Sequence, residues 1–132
     1  MKTAMKNTTS LRRNQDVCSV PCFDHEKVNA IQTKLNKKEK RLPELADFYK
    51  MLGNTTRLKI LFALAEGELC VCDIAHVLGL SIAATSHQLK QLRNQGWLRK
   101  TDDGKMVYYR LHSADLLKAL KGDLKLLETR LG

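Results

Sequence analysis

Residues 71–111 read VCDIAHVLGLSIAATSHQLKQLRNQGWLRKTDDGKMVYYRL, and this stretch decides the fold. Val71 to Leu78 reads as a short helix. Gly79-Leu80 follows as a turn, and Ser81 is placed to cap a second helix that runs to Asn94 with Leu89 and Leu92 toward the core. Helix, glycine-containing turn, helix is the helix-turn-helix pattern. Gly96 closes it. Trp97 to Thr101 then reads as a strand, Asp102-Asp103-Gly104-Lys105 as a turn, and Met106 to Leu111 as a second strand in which Val107, Tyr109 and Leu111 alternate. A hairpin directly after a helix-turn-helix is a wing. The expected fold is mainly α with a small β-hairpin: a winged helix-turn-helix, dimeric.

Working outward, Asn54, Thr55 or Thr56 can cap a preceding helix that buries Leu58, Ile60, Leu61, Leu64 and Ala65 and is ended by Gly67. Before it, Glu44 to Leu52 reads as a helix with Pro43 suited to its first turn and Gly53 at its end. Glu26 to Lys38 places Val28, Ile31 and Leu35 at helical spacing, opposite a lysine-rich face. Downstream, Leu116, Leu117, Leu120, Leu124, Leu127 and Leu131 recur at intervals of three and four on a helix from about Ser113 to Leu131. Together with the N-terminal helix this stripe reads as a dimer seam, with ordinary packing onto the wing as the alternative. The organisation expected is a flexible, polar and basic arm over residues 1–25, followed by a winged helix-turn-helix domain over 26–132 with dimerisation helices at both ends.

The chain has 132 residues, suited to one domain with a modest core, and carries 23 Lys and Arg against 14 Asp and Glu, a formal net charge of +9. That balance favours a polyanionic partner, most simply nucleic acid. The N-terminal residues lack an apolar targeting segment, and the longest apolar run, Ile60 to Ala65, is far too short to span a bilayer. A cytoplasmic protein with no membrane partner is expected. Thiols stay reduced there, so paired cysteines read as metal ligands or redox sensors, not structural disulfides.

The four cysteines fall into two tight pairs, Cys18 with Cys22 and Cys70 with Cys72. Thiolates are soft, polarisable anions, and four of them suit Cd(II), Pb(II) or Zn(II) over hard, oxygen-preferring ions. Residues two apart in a regular helix point about 200° apart. Cys70 and Cys72 can therefore ligate together only if Cys70 lies before the helix or in its irregular first turn. A helix N-terminus also favours thiolate over thiol. Pro21 argues for a loop between Cys18 and Cys22, and a flexible arm can reach across a dimer. Asp24 and His25 are close enough in sequence to substitute as ligands. Burial as small core residues is the alternative for Cys70 and Cys72, and incidental surface thiols for Cys18 and Cys22.

Between Ser81 and Lys100 lie Lys90, Arg93, Arg99 and Lys100 and no acidic residue, a patch that suits phosphate and makes binding salt-sensitive. Ser81, Thr85, Ser86, His87 and Gln88 are short polar groups on the part of the second helix that enters the major groove. Gln88 can read adenine, and Ser and Thr can bond base or phosphate. Solvated surface is the alternative for His87 and Gln88. His76 is read as a surface residue without a role.

Leu58-Lys59-Ile60-Leu61 after Arg57, Glu68-Leu69-Cys70-Val71-Cys72-Asp73-Ile74-Ala75, Ser86-His87-Gln88-Leu89-Lys90-Gln91-Leu92 and Gly104-Lys105-Met106-Val107-Tyr108-Tyr109 follow one another in an order that resembles the ArsR/SmtB family of winged-helix metal-sensing repressors. The segment from Cys18 to Asn29 is similar to the N-terminal arm of the cadmium-, lead- and zinc-responsive CadC branch. The resemblance implies a homodimer that binds operator DNA without metal and leaves it when Cd, Pb or Zn binds. It also implies metal sites shared between subunits through Cys18, Cys22, Cys70 and Cys72. It assigns base contacts to Ser86 and His87, with Arg99 and Lys105 of the wing on backbone or minor groove. Many members carry a second metal site on the C-terminal helix, at positions that here read Ser113, Asp115, Leu126 and Thr129. Only Asp115 is an ordinary ligand, so that site is expected to be absent or crippled.

Two other readings stay open: a thiol-redox regulator, and a DNA-binding protein whose zinc is purely structural. Neither a nucleophile–base pairing nor a glycine-rich phosphate loop is visible, so an enzyme is not expected.

Overall fold

The computed structural model describes residues 17–131. The first sixteen residues of the expected arm lie outside that range. The described residues belong to two compact units, one ending at Ala46 and the other beginning at Asp47.

In the first unit, residues 17–24 are irregular and lead into α1 (His25–Lys37). Asp24 caps α1: its carboxylate accepts the Lys27 N–H at 3.1 Å. No residue of α1 is buried, and Ile31 and Leu35 are exposed. Helix α2 (Arg41–Leu52) begins here, with Pro43 in its first turn, where a missing N–H costs no helical bond.

The second unit holds the core. The last residues of α2 contribute Met51 and Leu52, and Asn54 then caps α3 (Thr55–Leu64) by accepting the Arg57 N–H at 3.1 Å. A short strand β1 (Leu69–Cys70) runs directly into α4 (Val71–Leu78). Gly79 ends α4 in the left-handed region at φ 67°, which glycine enters without steric cost, and the Leu80 N–H closes the end on the Ala75 carbonyl at 3.0 Å. Ser81 caps α5 (Ile82–Asn94), its hydroxyl accepting the Ala84 N–H at 3.0 Å. Strands β2 (Leu98–Asp103) and β3 (Met106–Leu111) follow, and α6 (Ala114–Leu131) completes the order.

Ile60 and Leu61 of α3, Ile74 of α4, and Leu89 and Leu92 of α5 are fully buried together, with Leu98, Tyr109, Leu116 and Leu120 around them. The Phe48 and Trp97 rings pack at 4.9 Å against this core. Burying side chains of this size stabilises by about 1.5–3 kcal/mol each before conformational entropy is counted. The outcome is the expected winged helix-turn-helix.

The sheet is larger than the hairpin read from sequence. Its order is β1-β3-β2, all antiparallel, with Leu69 opposite Tyr109 and Cys70 opposite Tyr108. A two-residue strand leaves no alternation to read, so it is invisible until β3 offers its open edge. The wing turn also differs in detail. Asp103 pairs with Met106, so the central residues are Gly104 and Lys105, and only the glycine has positive φ, at 63°. That is the type II′ hairpin pattern. Among the described residues no helix is long and apolar enough to cross a membrane.

Candidate functional site

The reader begins at a cysteine. Cys70 ends β1 and caps α4: its Sγ accepts the Asp73 N–H at 3.4 Å, and its backbone is extended at φ −81° and ψ 164°. It therefore lies before the helix proper, as joint ligation with Cys72 requires. Cys70 is buried at 6% exposure, whereas Cys72, inside the first turn of α4, is exposed. Asp73 lies in that same first turn. His76 sets its Nδ1 at 2.8 Å from the Cys72 carbonyl, a local contact one turn along α4.

The other pair belongs to the first unit. Cys18 and Cys22 are both exposed on the irregular segment before α1. They lie close enough for a thiol–thiol hydrogen bond, and that bond, reinforced by the charge of Cys18, holds the Cys22 thiol above its ordinary pKa. Asp24 is engaged in capping α1, and the His25 ring stands 4.3 Å from the Phe23 ring. Among the described residues, no three His, Cys, Asp or Glu side chains gather into a group able to hold a metal ion. The donor set fits a soft cation by chemistry: four thiols, three of them exposed and the fourth turned inward as a cap.

On the C-terminal helix, the Ser113 hydroxyl accepts the Asp115 N–H at 3.1 Å, and the Thr129 hydroxyl donates to the Leu126 carbonyl at 2.9 Å. Just before that helix, His112 Nδ1 accepts from Arg99 Nε at 2.8 Å.

The DNA-facing expectations divide into two groups. Ser86, His87 and Lys90 are exposed on α5, and Lys105 is exposed at the wing turn. Ser81 is exposed, with its hydroxyl engaged as the α5 cap. Thr85 requires correction as a DNA contact. It is fully buried, and its hydroxyl donates to the Ser81 carbonyl at 2.8 Å. It stands four residues before Leu89 and seven before Leu92, on the side α5 turns to the core. Gln88 is half-buried, and its Oε1 accepts from Arg57 Nε at 3.0 Å.

Arg57 is the residue that sequence reasoning misses. Besides Gln88, its guanidinium donates to Gln91 Oε1 at 2.9 Å and to the Met51 carbonyl at 3.0 Å. One side chain thus joins the end of α2, the start of α3 and one flank of α5. Its side-chain partners lie 31 and 34 positions away, beyond any local pattern. Arg110 is also missed, although it faces Arg99 across the hairpin register. Arg93, Arg99, Lys100 and Arg110 line a concavity of about 360 Å³ with Asp102, whose carboxylate lies 3.6 Å from Lys100. The same unit carries a largely apolar groove of about 220 Å³, lined by Tyr49, Leu52, Leu58, Phe62, Asp123 and the α6 leucines 120, 124 and 127.

Residues 54–100 match the bacterial regulatory protein, arsR family. The cadmium resistance transcriptional regulatory protein CadC of Listeria innocua is 38% identical over 109 residues, covering 82% of this chain and 90% of that one.

This chain belongs to the ArsR family.

Among solved structures, the AntR antimony-specific transcriptional repressor is similar with a TM-score of 0.61 and 37% identity, over 67% of this chain and 81% of that one. The homodimeric winged helix-turn-helix DNA-binding domain of a Mycobacterium bovis protein is similar with a TM-score of 0.64 and 29% identity, over 72% and 88%. As an ArsR-family protein the chain is a transcriptional regulator, not an enzyme. The family match ends at Lys100 and starts at Asn54, so both cysteines of the second pair fall inside it and both of the first pair fall outside.

Proposed function

We propose that this chain is a cytoplasmic metal-responsive repressor. It binds operator DNA as a metal-free homodimer and is released when Cd(II), Pb(II) or Zn(II) binds thiolates of Cys18, Cys22, Cys70 and Cys72, with each site drawing on both subunits. The observation that carries this reading is the place of Cys70. It is at once the cap of the first helix of the reader and the last residue of the strand paired to the wing. A bound soft cation would supply a strong, directional attachment for these thiolates. Any shift of Cys70 is then shared by α4, through the bond from the Asp73 N–H, and by β3, through the pairing with Tyr108.

Regulation requires metal to favour the DNA-free form. A coupling of about 1–3 kcal/mol changes operator affinity by roughly 5- to 150-fold. Recognition helices of a dimer must match successive turns of the major groove, so a small change in their spacing is enough. Ser86, His87 and Lys90 face the groove on this reading, and Arg99 and Lys105 sit on the wing. The basic concavity of Arg93, Lys100 and Arg110 supports phosphate binding beside them.

The test is fluorescence anisotropy of reduced, metal-free protein on duplex DNA from its own promoter, followed by Cd(II). Tight binding, release at stoichiometric metal, and loss of that release in Cys70→Ser are expected. Binding that ignores metal overturns the mechanism, and binding that appears only with metal favours a structural site. A second reading, release by thiol oxidation, draws on the exposure of Cys18 and Cys22, four positions apart in one irregular segment. Peroxide that frees DNA from metal-free protein, reversed by a thiol reductant, would favour it.

A further inference from the structure

The exposed start of α5 is more apolar than a polar reader requires. Ile82 is 53% exposed at the first position of this helix, and Ala83 beside it is exposed as well. Val77 and Leu80, in the preceding helix and turn, are exposed too. Exposed large aliphatic residues in this unit otherwise concentrate on α6.

The polar groups that could read bases are fewer than the sequence suggests. Thr85 is buried. Gln88 is half-buried, and its side-chain oxygen accepts from Arg57, which ties the amide to one flank of the helix. Arg57 holds Gln88 and Gln91 on one flank of α5. Ile82 and Ser86, four residues apart, share the other flank. No acidic residue lies between Ser81 and Lys100, and Lys90 and Arg93 continue along the same helix. A surface that is apolar at its tip and cationic behind suits a polyanion offering an apolar group. The major groove offers one such group, the C5-methyl of thymine.

We infer that Ile82 is a specificity-determining residue that reads a thymine methyl in each operator half-site. This rests on the DNA-binding reading above and names what its reader helix recognises. Ser86 and His87 supply hydrogen bonds next to that contact. Ile82 gives thymine a preference at one position without a hydrogen bond.

The test separates this inference from the reading beneath it. Duplexes bound by the full-length, metal-free protein are selected from a random pool, and each thymine is then replaced in turn by deoxyuridine. This change removes only the methyl and leaves every hydrogen-bonding group in place. Wild-type protein should lose about fourfold in affinity at one thymine per half-site, the effect of one buried methyl. Ile82→Ala should bind the thymine and uracil duplexes equally at that position. Ser86→Ala should keep the discrimination. The exposed position of Ile82 leaves the fold intact, and an unchanged thermal melt of Ile82→Ala checks this. Selected duplexes with no uracil-sensitive position, or an Ile82→Ala protein that discriminates as wild type does, overturn the inference while leaving sequence-specific binding in place. Failure of wild-type protein to select any sequence overturns both.

Discussion

Arg57 has every named donor of its guanidinium engaged: Nε on Gln88, one terminal nitrogen on Gln91, the other on the Met51 carbonyl. A planar fork suits three acceptors on two helices, and a lysine ammonium does not. Truncation leaves a half-buried carbonyl and two amide oxygens without this donor. Arg57→Ala is expected to lower stability by about 1–3 kcal/mol, read from the urea midpoint. Arg57→Lys should recover only part of that. If Arg57→Ala unfolds at the wild-type midpoint, the clamp contributes nothing and α5 is held by its leucines alone. At this scale legibility is uneven for physical reasons. Cys70 could be placed before its helix because side-chain geometry forbids the alternative for a joint ligand. Thr85 is misread as a reader group although it repeats with Leu89 and Leu92 at helical spacing, because a hydroxyl on a core face looks like one until its partner, the Ser81 carbonyl, is seen. The Arg57 network depends on tertiary proximity and has no sequence signature.

Among the elements, the wing makes the clearest case. Alternation in Val107, Tyr109 and Leu111 and the Asp-Gly pair announce a hairpin, and β2 and β3 form one with Leu98 opposite Leu111. The reader's helix ends were equally legible, because Ser81 and the left-handed Gly79 stand where backbone groups would otherwise lack partners, whereas Asn54 is one of three candidate caps with Thr55 and Thr56. Strand β1 was not legible, because its two residues acquire a partner only through the fold. The register carries a functional consequence. It sets Arg110 directly opposite Arg99, and Arg99 is already bonded to His112. Among the described residues Arg110 makes no ion pair or hydrogen bond through its side chain, which leaves its charge available to a phosphate in the concavity it shares with Arg93 and Lys100. Arg110→Ala should therefore weaken operator and non-operator DNA alike. It should also reduce the slope of log affinity against log salt by about one. An unchanged slope would place Arg110 off the DNA, and loss confined to the operator would make it a base reader.

At the scale of the whole molecule, the α6 stripe bears on how copies of the chain would pair. Leu116 and Leu120 are buried in the core, but the stripe continues outward through Leu124 and Leu127, 48% and 44% exposed, which line the apolar groove with Tyr49 and Phe62. A groove of this kind on a lone chain is surface left in water, and a two-fold axis through it would let each copy cover the other with the same residues. Leu126 is the internal control. It is 64% exposed on the same helix yet lies outside the groove. In sedimentation equilibrium the wild-type protein should have twice the mass of one chain. Leu127→Glu should reduce it to one, because an isologous contact sets the new carboxylate near its own copy. Leu126→Glu should remain a dimer. Because each half of a two-fold operator needs its own reader, Leu127→Glu should also lose operator affinity far beyond what one surface charge on α6 can cause by repelling phosphate, whereas Leu126→Glu, carrying the same charge, should keep it. A dimeric Leu127→Glu protein would move the seam off this groove, and a monomeric wild type that still bound a full operator would remove the two-fold argument altogether.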